Sequence, residues 1–419
     1  MVARDAFRWL SLVFALFGVM PAFAVAVTVD KVQQRYPWNG LVDVDYTIAY
    51  EDGEPALDPL LERLVVTVVD EANNPSETIV ANNLAPAPLA TTPGQHRLTW
   101  DANADGVDFK SDAVTVKIEI RRYAAKYLIV DLREGSSAKS YPVSYMSGEP
   151  TGGFNVPEFK TDKMVFRLVP PGSYMMGSPT AEKGRVASDE TQHRVVISKP
   201  FYVGLFEVTQ EQYRNVQGAL PSSREGDLRP AAYLFGSDVR CASPTSAESA
   251  ISASSFVGVF RARTSLDFDL PTEAQWEYAC RAGKDTAFND GVVQSTGSNY
   301  EAGYASSMNA LGRYSGNNTE GDFPDGPTTV GSFEPNAWGL YDMHGNVAEY
   351  CRDGKYTYSV SSALAVDPVS TGSGATVLRG GGYSSAANNC RAASRTTHMG
   401  SSNRSNFAAN GFRLVLTID

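Results

Sequence analysis

The sequence predicts two units, an all-β sandwich over residues 27–132 and an α+β domain with little regular secondary structure over residues 161–419. Three observations carry this. Short apolar runs alternating with period two fill the first part. A stretch rich in Gly, Ser and Pro, residues 133–160, marks a change of texture and reads as a linker. Beyond it come scattered short strands, two capped helical segments and long Gly/Asn/Ser loops.

In the first part the strand-like runs are Val42 to Ile48, Leu64 to Val69, His96 to Trp100 and Ala113 to Ile120. Runs at this spacing with no long helix argue for an immunoglobulin-like sandwich. In the second part Thr209-Gln-Glu-Gln212 and Thr272-Glu-Ala-Gln275 are capping boxes, in which Thr and Gln side chains satisfy the orphan N–H groups at a helix start. Gly283 is placed to stop the second helix. From Asp285 to Pro335 periodicity is weak, and a long ordered loop there implies function or a metal ion.

Ahead of both units, Arg4 and Arg8, the apolar stretch from Leu10 to Met20 and Ala22-Phe23-Ala24 form a signal peptide over residues 1–24. Export is the expectation, to the periplasm, the cell surface or the exterior. The apolar stretch is short of the ~20 residues that span a bilayer, so an integral membrane protein is not expected after cleavage. The chain carries 36 Lys and Arg against 47 Asp and Glu, a net charge of -11, without a dense basic run. Nucleic acid is therefore not an expected partner.

Export also bears on the four cysteines, Cys241, Cys280, Cys351 and Cys390. Disulfides persist in oxidising compartments. Four cysteines allow three connectivities, and chain proximity favours Cys241 with Cys280 and Cys351 with Cys390. The histidines, at 96, 193, 344 and 398, are too far apart for a local metal pair. His193 reads as structural, and His398 is the better functional candidate. No Gly-x-Ser-x-Gly elbow supports a hydrolase. Asp101, Asn103, Asp105, Gly106 and Asp112 have the oxygen spacing of an EF-hand loop. The flanking runs are β-type, so an Asp-Gly hairpin turn is the preferred reading.

Six segments occur in order: Leu168-Val-Pro-Pro-Gly-Ser-Tyr-Met-Met-Gly-Ser178, His193-Arg-Val-Val-Ile197 running into Phe206-Glu-Val-Thr-Gln-Glu-Gln-Tyr213, Leu270-Pro-Thr-Glu-Ala-Gln-Trp-Glu-Tyr278, Asn336-Ala-Trp-Gly-Leu-Tyr-Asp-Met-His-Gly-Asn-Val347, Leu378-Arg-Gly-Gly381 and Asn410-Gly-Phe-Arg-Leu414. Together they resemble the formylglycine-generating enzyme, or sulfatase-modifying factor, family. The resemblance implies a modified C-type-lectin fold. It also implies an oxidase that binds copper through a Cys-x4-Cys pair and, with dioxygen, converts a substrate cysteine to formylglycine. Soft Cu(I) suits thiolate ligands.

This chain has no Cys-x4-Cys. Counting forward from Arg379 places Cys390 on the family's first cysteine, and counting back from Arg395 places Ala387 and Ala392 on the pair. Cys390 is thus the single candidate catalytic thiol. Where relatives carry an Asn-Val-Trp-Glu-Trp type of run, this chain has Asn346-Val-Ala-Glu-Tyr350, with Ala348 in place of an aromatic. The resemblance also implies calcium, held by Asp342 and Glu349 side chains with Gly345 and Val347 carbonyls, and a second site at Asp322. Hard oxygen ligands in a Gly-containing loop suit Ca²⁺.

The expectation is a calcium-stabilised binding or scaffold module. Its ligand, a peptide, glycan or protein, would occupy a groove lined by residues 383–410. Two alternatives stand beside it: an active oxidoreductase using Cys390, and a lectin-fold protein with a diversified ligand surface.

Overall fold

The structure is a computed structural model, and it describes residues 25–35, 39–51, 62–71, 74–81, 84–86, 89–105, 107, 114–122, 125–221, 225–241, 250–293, 300–319, 325–357, 365–372, 375–398 and 403–418. The expected signal peptide, Asp322, Gly106 and Asp112 lie outside these residues. The chain is mixed α/β, with many strands and few helices.

The period-two pattern sets the first unit. Strands β1 (Val25–Gln34), β2 (Leu41–Tyr50), β5 (Leu84–Ala85) and β6 (Gly94–Asp101) form one sheet, ordered β1-β2-β6-β5. Strands β3 (Glu62–Asp70), β4 (Asn74–Val80) and β7 (Val114–Arg122) form another, ordered β4-β3-β7. All pairings in both sheets are antiparallel. In β2 every second residue from Val42 to Ile48 is buried, the signature of a strand with one face on a core. Val42, Val44, Tyr46, Leu98 and Trp100 of the first sheet share one apolar cluster with Val66, Val68, Val116 and Ile118 of the second.

The EF-hand-like segment follows β6. There Asp101 Oδ1 accepts the Ala104 N–H at 3.0 Å, and Asp105 Oδ2 accepts the Trp100 indole N–H at 2.6 Å. These carboxylates close a turn. The turn is not the expected hairpin, because β6 and β7 belong to different sheets.

The second unit begins inside the segment assigned to the sandwich. Strand β8 (Tyr127–Asp131) pairs with β9 (Val143–Met146) on one side and β10 (Lys163–Val169) on the other. The stretch expected to be a linker therefore contributes β9 to a sheet ordered β19-β13-β10-β8-β9. Here β13 is Phe201–Gly204 and β19 is Val415–Thr417. The strands β8, β10 and β13 of this sheet are buried on both faces. Leu128, Val130, Met164, Phe166 and Leu168 turn to one core, while Tyr127, Ile129 and Val165 turn to another with Phe154, Phe159 and Phe206. Burying each large apolar side chain contributes about 1.5–3 kcal/mol.

Helices α1 (Gln210–Gln217), α2 (Gly236–Val239), α3 (Phe256–Thr264), α4 (Glu273–Arg281) and α5 (Tyr300–Leu311) are the α-helices of the described residues. Both expected capping boxes form, at Thr209 with Gln212 and at Thr272 with Gln275. The α4 helix ends at Arg281, two residues before Gly283, with the capping Ala282 itself left-handed. Helix α5 lies in the segment expected to lack periodicity. Its buried Tyr304, Met308 and Leu311 follow helical spacing and pack with Phe288 and Cys390.

Two small sheets frame the remaining loops. One is ordered β11-β12-β15, from Gly172–Met176, His193–Ile197 and Ala365–Val366. The other is ordered β17-β16-β14-β18, from Thr396–His398, Thr376–Arg379, Ala348–Gly354 and Asn410–Gly411. Among the described residues no helix is long and apolar enough to cross a membrane.

Candidate functional site

The Asn336 to Val347 segment ends in a turn forced by left-handed backbone. Asp342, Gly345 and Asn346 all have positive φ, which Gly, Asp and Asn tolerate better than other residues. At Gly345 a Cβ would stand 2.2 Å from the Arg313 carbonyl oxygen, so only glycine fits. The Gly345 N–H donates to Gly380 O at 2.8 Å, and the Asn346 N–H donates to Arg313 O at 2.7 Å. Glu207, just before α1, clamps the turn from below. Its carboxylate accepts the Asn346 side-chain amide at 2.5 Å and the Val347 N–H at 3.0 Å.

Around this turn lie three buried carboxylates, Glu207, Asp342 and Glu349. Glu349, on β14, is satisfied on both oxygens. Arg413 Nη2 and Nε donate to it at 2.6 and 2.7 Å, and the Trp276 indole N–H donates at 2.8 Å. Asp342 Oδ2 accepts the Gly331 N–H at 2.6 Å, but its Oδ1 is buried with no partner. Burial pushes the Asp342 carboxyl up to about 6, against the opposing effects of the Gly331 N–H, Arg413 and Lys160. Burial, then Asp342 and Glu349, raise Glu207 well above the usual carboxylate range. Among the described residues no three His, Cys, Asp or Glu side chains are grouped so as to hold a metal. A cation here would depend on backbone carbonyls. The residues fit one at the Asp342 end of the turn, where an oxygen is left over, and not at Glu349, which Arg413 already neutralises.

All four cysteines are free and buried, so the two expected disulfides are not formed. For Cys351 and Cys390 the locations explain why. Cys280 and Cys351 lie in the apolar cluster around α4, whereas Cys390 lies in the cluster around α5. Cys390 has no exposure, and desolvation pushes its thiol up to about 12. A thiol so placed is protonated near neutral pH and is a poor nucleophile or copper ligand.

His344 links the two regions. Its Nδ1 is 2.7 Å from the Cys390 carbonyl oxygen, so that nitrogen carries the proton, while its Nε2 accepts the Asn289 N–H at 3.2 Å. Burial lowers the imidazole to about 4, which keeps it neutral. Neither its role nor that of Glu207 was assigned from sequence. For Glu207 the signal was present, a carboxylate inside the otherwise apolar run from Phe201 to Val208.

Residues 383–410 were expected to line a groove, yet two arginines described there, Arg391 and Arg395, turn inward. Arg391 makes a two-pronged pair with Glu190, both contacts at 2.8 Å, and also binds Glu182. Arg395 grips Glu273 at 2.6 and 2.9 Å. Arg379, across from this loop, pairs with Glu277 and donates to the Ala392, Ala393 and Ser394 carbonyls. Ala392 and Ala348 are both buried in core clusters, and Ala387 packs against the cluster that holds Cys390. His193 lies on β12, its Nδ1 2.9 Å from the Thr191 carbonyl oxygen. His398 lies on β17, and residues 399–402 are outside the described residues.

Two outcomes follow from the buried charges. Replacing Arg413 with Met leaves Glu349 buried without its cation, which costs about 3–5 kcal/mol; urea unfolding of the two proteins measures it, and a loss under 1 kcal/mol would contradict the pairing. Asp353, on β14, accepts N–H groups from Glu273 and Ser370, yet burial and then the Glu273 charge push it from 3.8 to about 7. A carboxyl raised on folding stabilises the fold while protonated, and this contribution fades as pH climbs through the folded value. Asp353→Asn is therefore most destabilising relative to the parent near pH 4, and the gap narrows by pH 8; a gap independent of pH contradicts it.

The architecture and site can now be set beside known proteins. Residues 154–418 match the family model described as sulfatase-modifying factor enzyme 1-like domain. A formylglycine-generating enzyme from Streptomyces coelicolor is 36% identical over 157 residues, covering 36% of this chain and 47% of that protein. One from Mus musculus is 35% identical over 150 residues, covering 34% of this chain and 38% of that protein. The serine/threonine-protein kinase pkn1 of Chlamydia pneumoniae is 27% identical over 237 residues, covering 54% of this chain and 34% of that protein. The matches thus span about half or less of these curated relatives. Among solved structures, PvdO from Pseudomonas aeruginosa superposes with a TM-score of 0.49 at 22% identity, covering 61% of this chain and 94% of that chain. Because the family model spans more than half of its length, the chain belongs to the sulfatase-modifying factor enzyme 1-like domain family.

Proposed function

We propose that this protein is an exported binding or scaffold member of its family that does not oxidise substrate cysteines. The observation that carries this is Cys390, fully buried among Phe288, Tyr304, Met308 and Tyr314, with its thiol pushed up to about 12. A thiolate that binds copper must be deprotonated and reachable. The sequence supplies no second thiol in a Cys-x4-Cys arrangement. The immobilised loop from Ala387 to Arg395 supports a rigid frame on which neighbouring loops present a surface to a peptide, glycan or protein ligand. The two sheets ahead of it, which share one core, are in this reading an immunoglobulin-like module that presents or tethers the second unit.

The test is copper titration of the reduced protein, together with oxygen uptake in the presence of a cysteine-containing peptide. Neither tight Cu(I) binding nor turnover is expected. Stoichiometric Cu(I) binding with peptide oxidation would establish the oxidoreductase instead.

Calcium is part of the same proposal. Asp342 Oδ1 is a buried oxygen without a partner, and Glu207 adds a second carboxylate beside it. Asp342, with carbonyls of Gly345 and Val347, would hold the ion, and its charge would offset this excess and pin the turn. Glu349 would contribute least. A ligand that binds only the folded state raises the melting temperature by mass action. Adding calcium after chelator treatment is expected to raise it, and Asp342→Ala is expected to abolish the rise; equal melting with calcium and chelator would remove calcium from the account.

A further inference from the structure

A cavity of about 500 Å³ opens among Arg240, Arg261, Arg352, Asp267, Asp269 and Gln275. Its volume lies within the range of small-molecule sites, roughly 300–1,000 Å³. Three guanidinium groups face two carboxylates here, a local excess of positive charge on a chain of net charge -11. The cations are unequally used. Arg240 is locked to Asp269 by contacts of 2.7 and 3.1 Å. Arg352 reaches Asp269 only at 3.9 Å, and its Nε is buried with no hydrogen-bond partner. Arg261 is paired with Asp267, whose side chain is 87% exposed. An ion pair that open to water contributes little and exchanges readily.

A buried N–H of arginine left unsatisfied is costly, and the guanidinium fork matches a planar carboxylate on two hydrogen bonds. We propose that this cleft binds a carboxylate-bearing ligand, gripped by Arg352 and Arg261, with Asp267 as the internal carboxylate that it displaces. The cleft is built from the end of α2, from α3, the segment leading into α4 and the first turn of α4, and from β14 and β19, none of which carries Cys390 or the Asp342 turn. The inference therefore stands or falls separately from the absence of oxidase chemistry.

The experiment is calorimetric titration of the full chain with succinate and with tetraglutamate, using inorganic phosphate as a second oxyanion. Saturable binding of at least one carboxylate is expected, weakening as salt is raised. Arg352→Gln is expected to weaken it about tenfold. Asp267→Asn, at an exposed side chain, is expected to tighten it severalfold because the competing carboxylate is gone. Tetraglutamate binding without succinate assigns the ligand to an acidic polypeptide, and the reverse assigns it to a small acid. Binding of neither carboxylate, binding of phosphate alone, or a normally melting Arg352→Gln variant that binds as the parent does would overturn the proposal. Should Arg352→Gln fail to fold, Asp267→Asn decides, and unchanged affinity there overturns it as well.

Discussion

The pair formed by Glu349 and Arg413 stands where four parts of the second unit meet. Glu349 belongs to β14, Arg413 to the last stretch of chain, Trp276 to α4, and the carbonyls of Gly204, Leu205 and Tyr341 that accept from Arg413 come from β13 and the segments beside it. Neither ion has water to fall back on. A charge at such a depth costs several kcal/mol unless its partner and hydrogen bonds are all in place, so the four parts are correct together or not at all. With Glu207 holding the neighbouring turn by two N–H groups, side-chain ions supply the cross-links that longer strands and helices provide elsewhere.

That economy explains what the sequence disclosed and what it withheld. Capping boxes at Thr209 and Thr272 are local, since a hydroxyl and an amide three residues apart either match or do not, and both formed. The alternation in β2 was equally local. The inward turn of Arg391 and Arg395 was not legible, because nothing near them in the chain shows that Glu190 and Glu273 wait inside. Composition alone assigns an arginine to the surface, and only a distant partner reverses this. Cys351 and Cys390 were paired on proximity in the chain, which says nothing about two thiols assigned to separate cores. The α5 helix was hidden by Gly303, Ser306 and Ser307, which dilute the face made by Tyr304, Met308 and Leu311.

The departures from the family pattern, at Ala348 on β14 and at Ala387 and Ala392, fall in different apolar clusters, while the ion pairs of the framework are in place. The residues that hold the framework, Arg379, Glu277, Glu349 and Arg413, are all buried and paired. At the positions where the family resemblance implies a thiol pair, this chain carries Ala387, Cys390 and Ala392, each packed against or within an apolar cluster. A fold braced by internal ions does not depend on what its loops display, so shape and site chemistry are separable in it.

The place of β8 changes what counts as a domain. The family match starts at residue 154, yet the sheet at the heart of this unit includes Tyr127–Asp131 and Val143–Met146. Cutting the chain where the homology starts would strip two strands and leave β10 as a raw edge, with Met164, Phe166 and Leu168 missing their neighbours Leu128 and Val130. An uncovered apolar edge of that kind recruits further copies of itself, and such a fragment would aggregate rather than fold. The family match and the sheet it belongs to begin at different places in this chain.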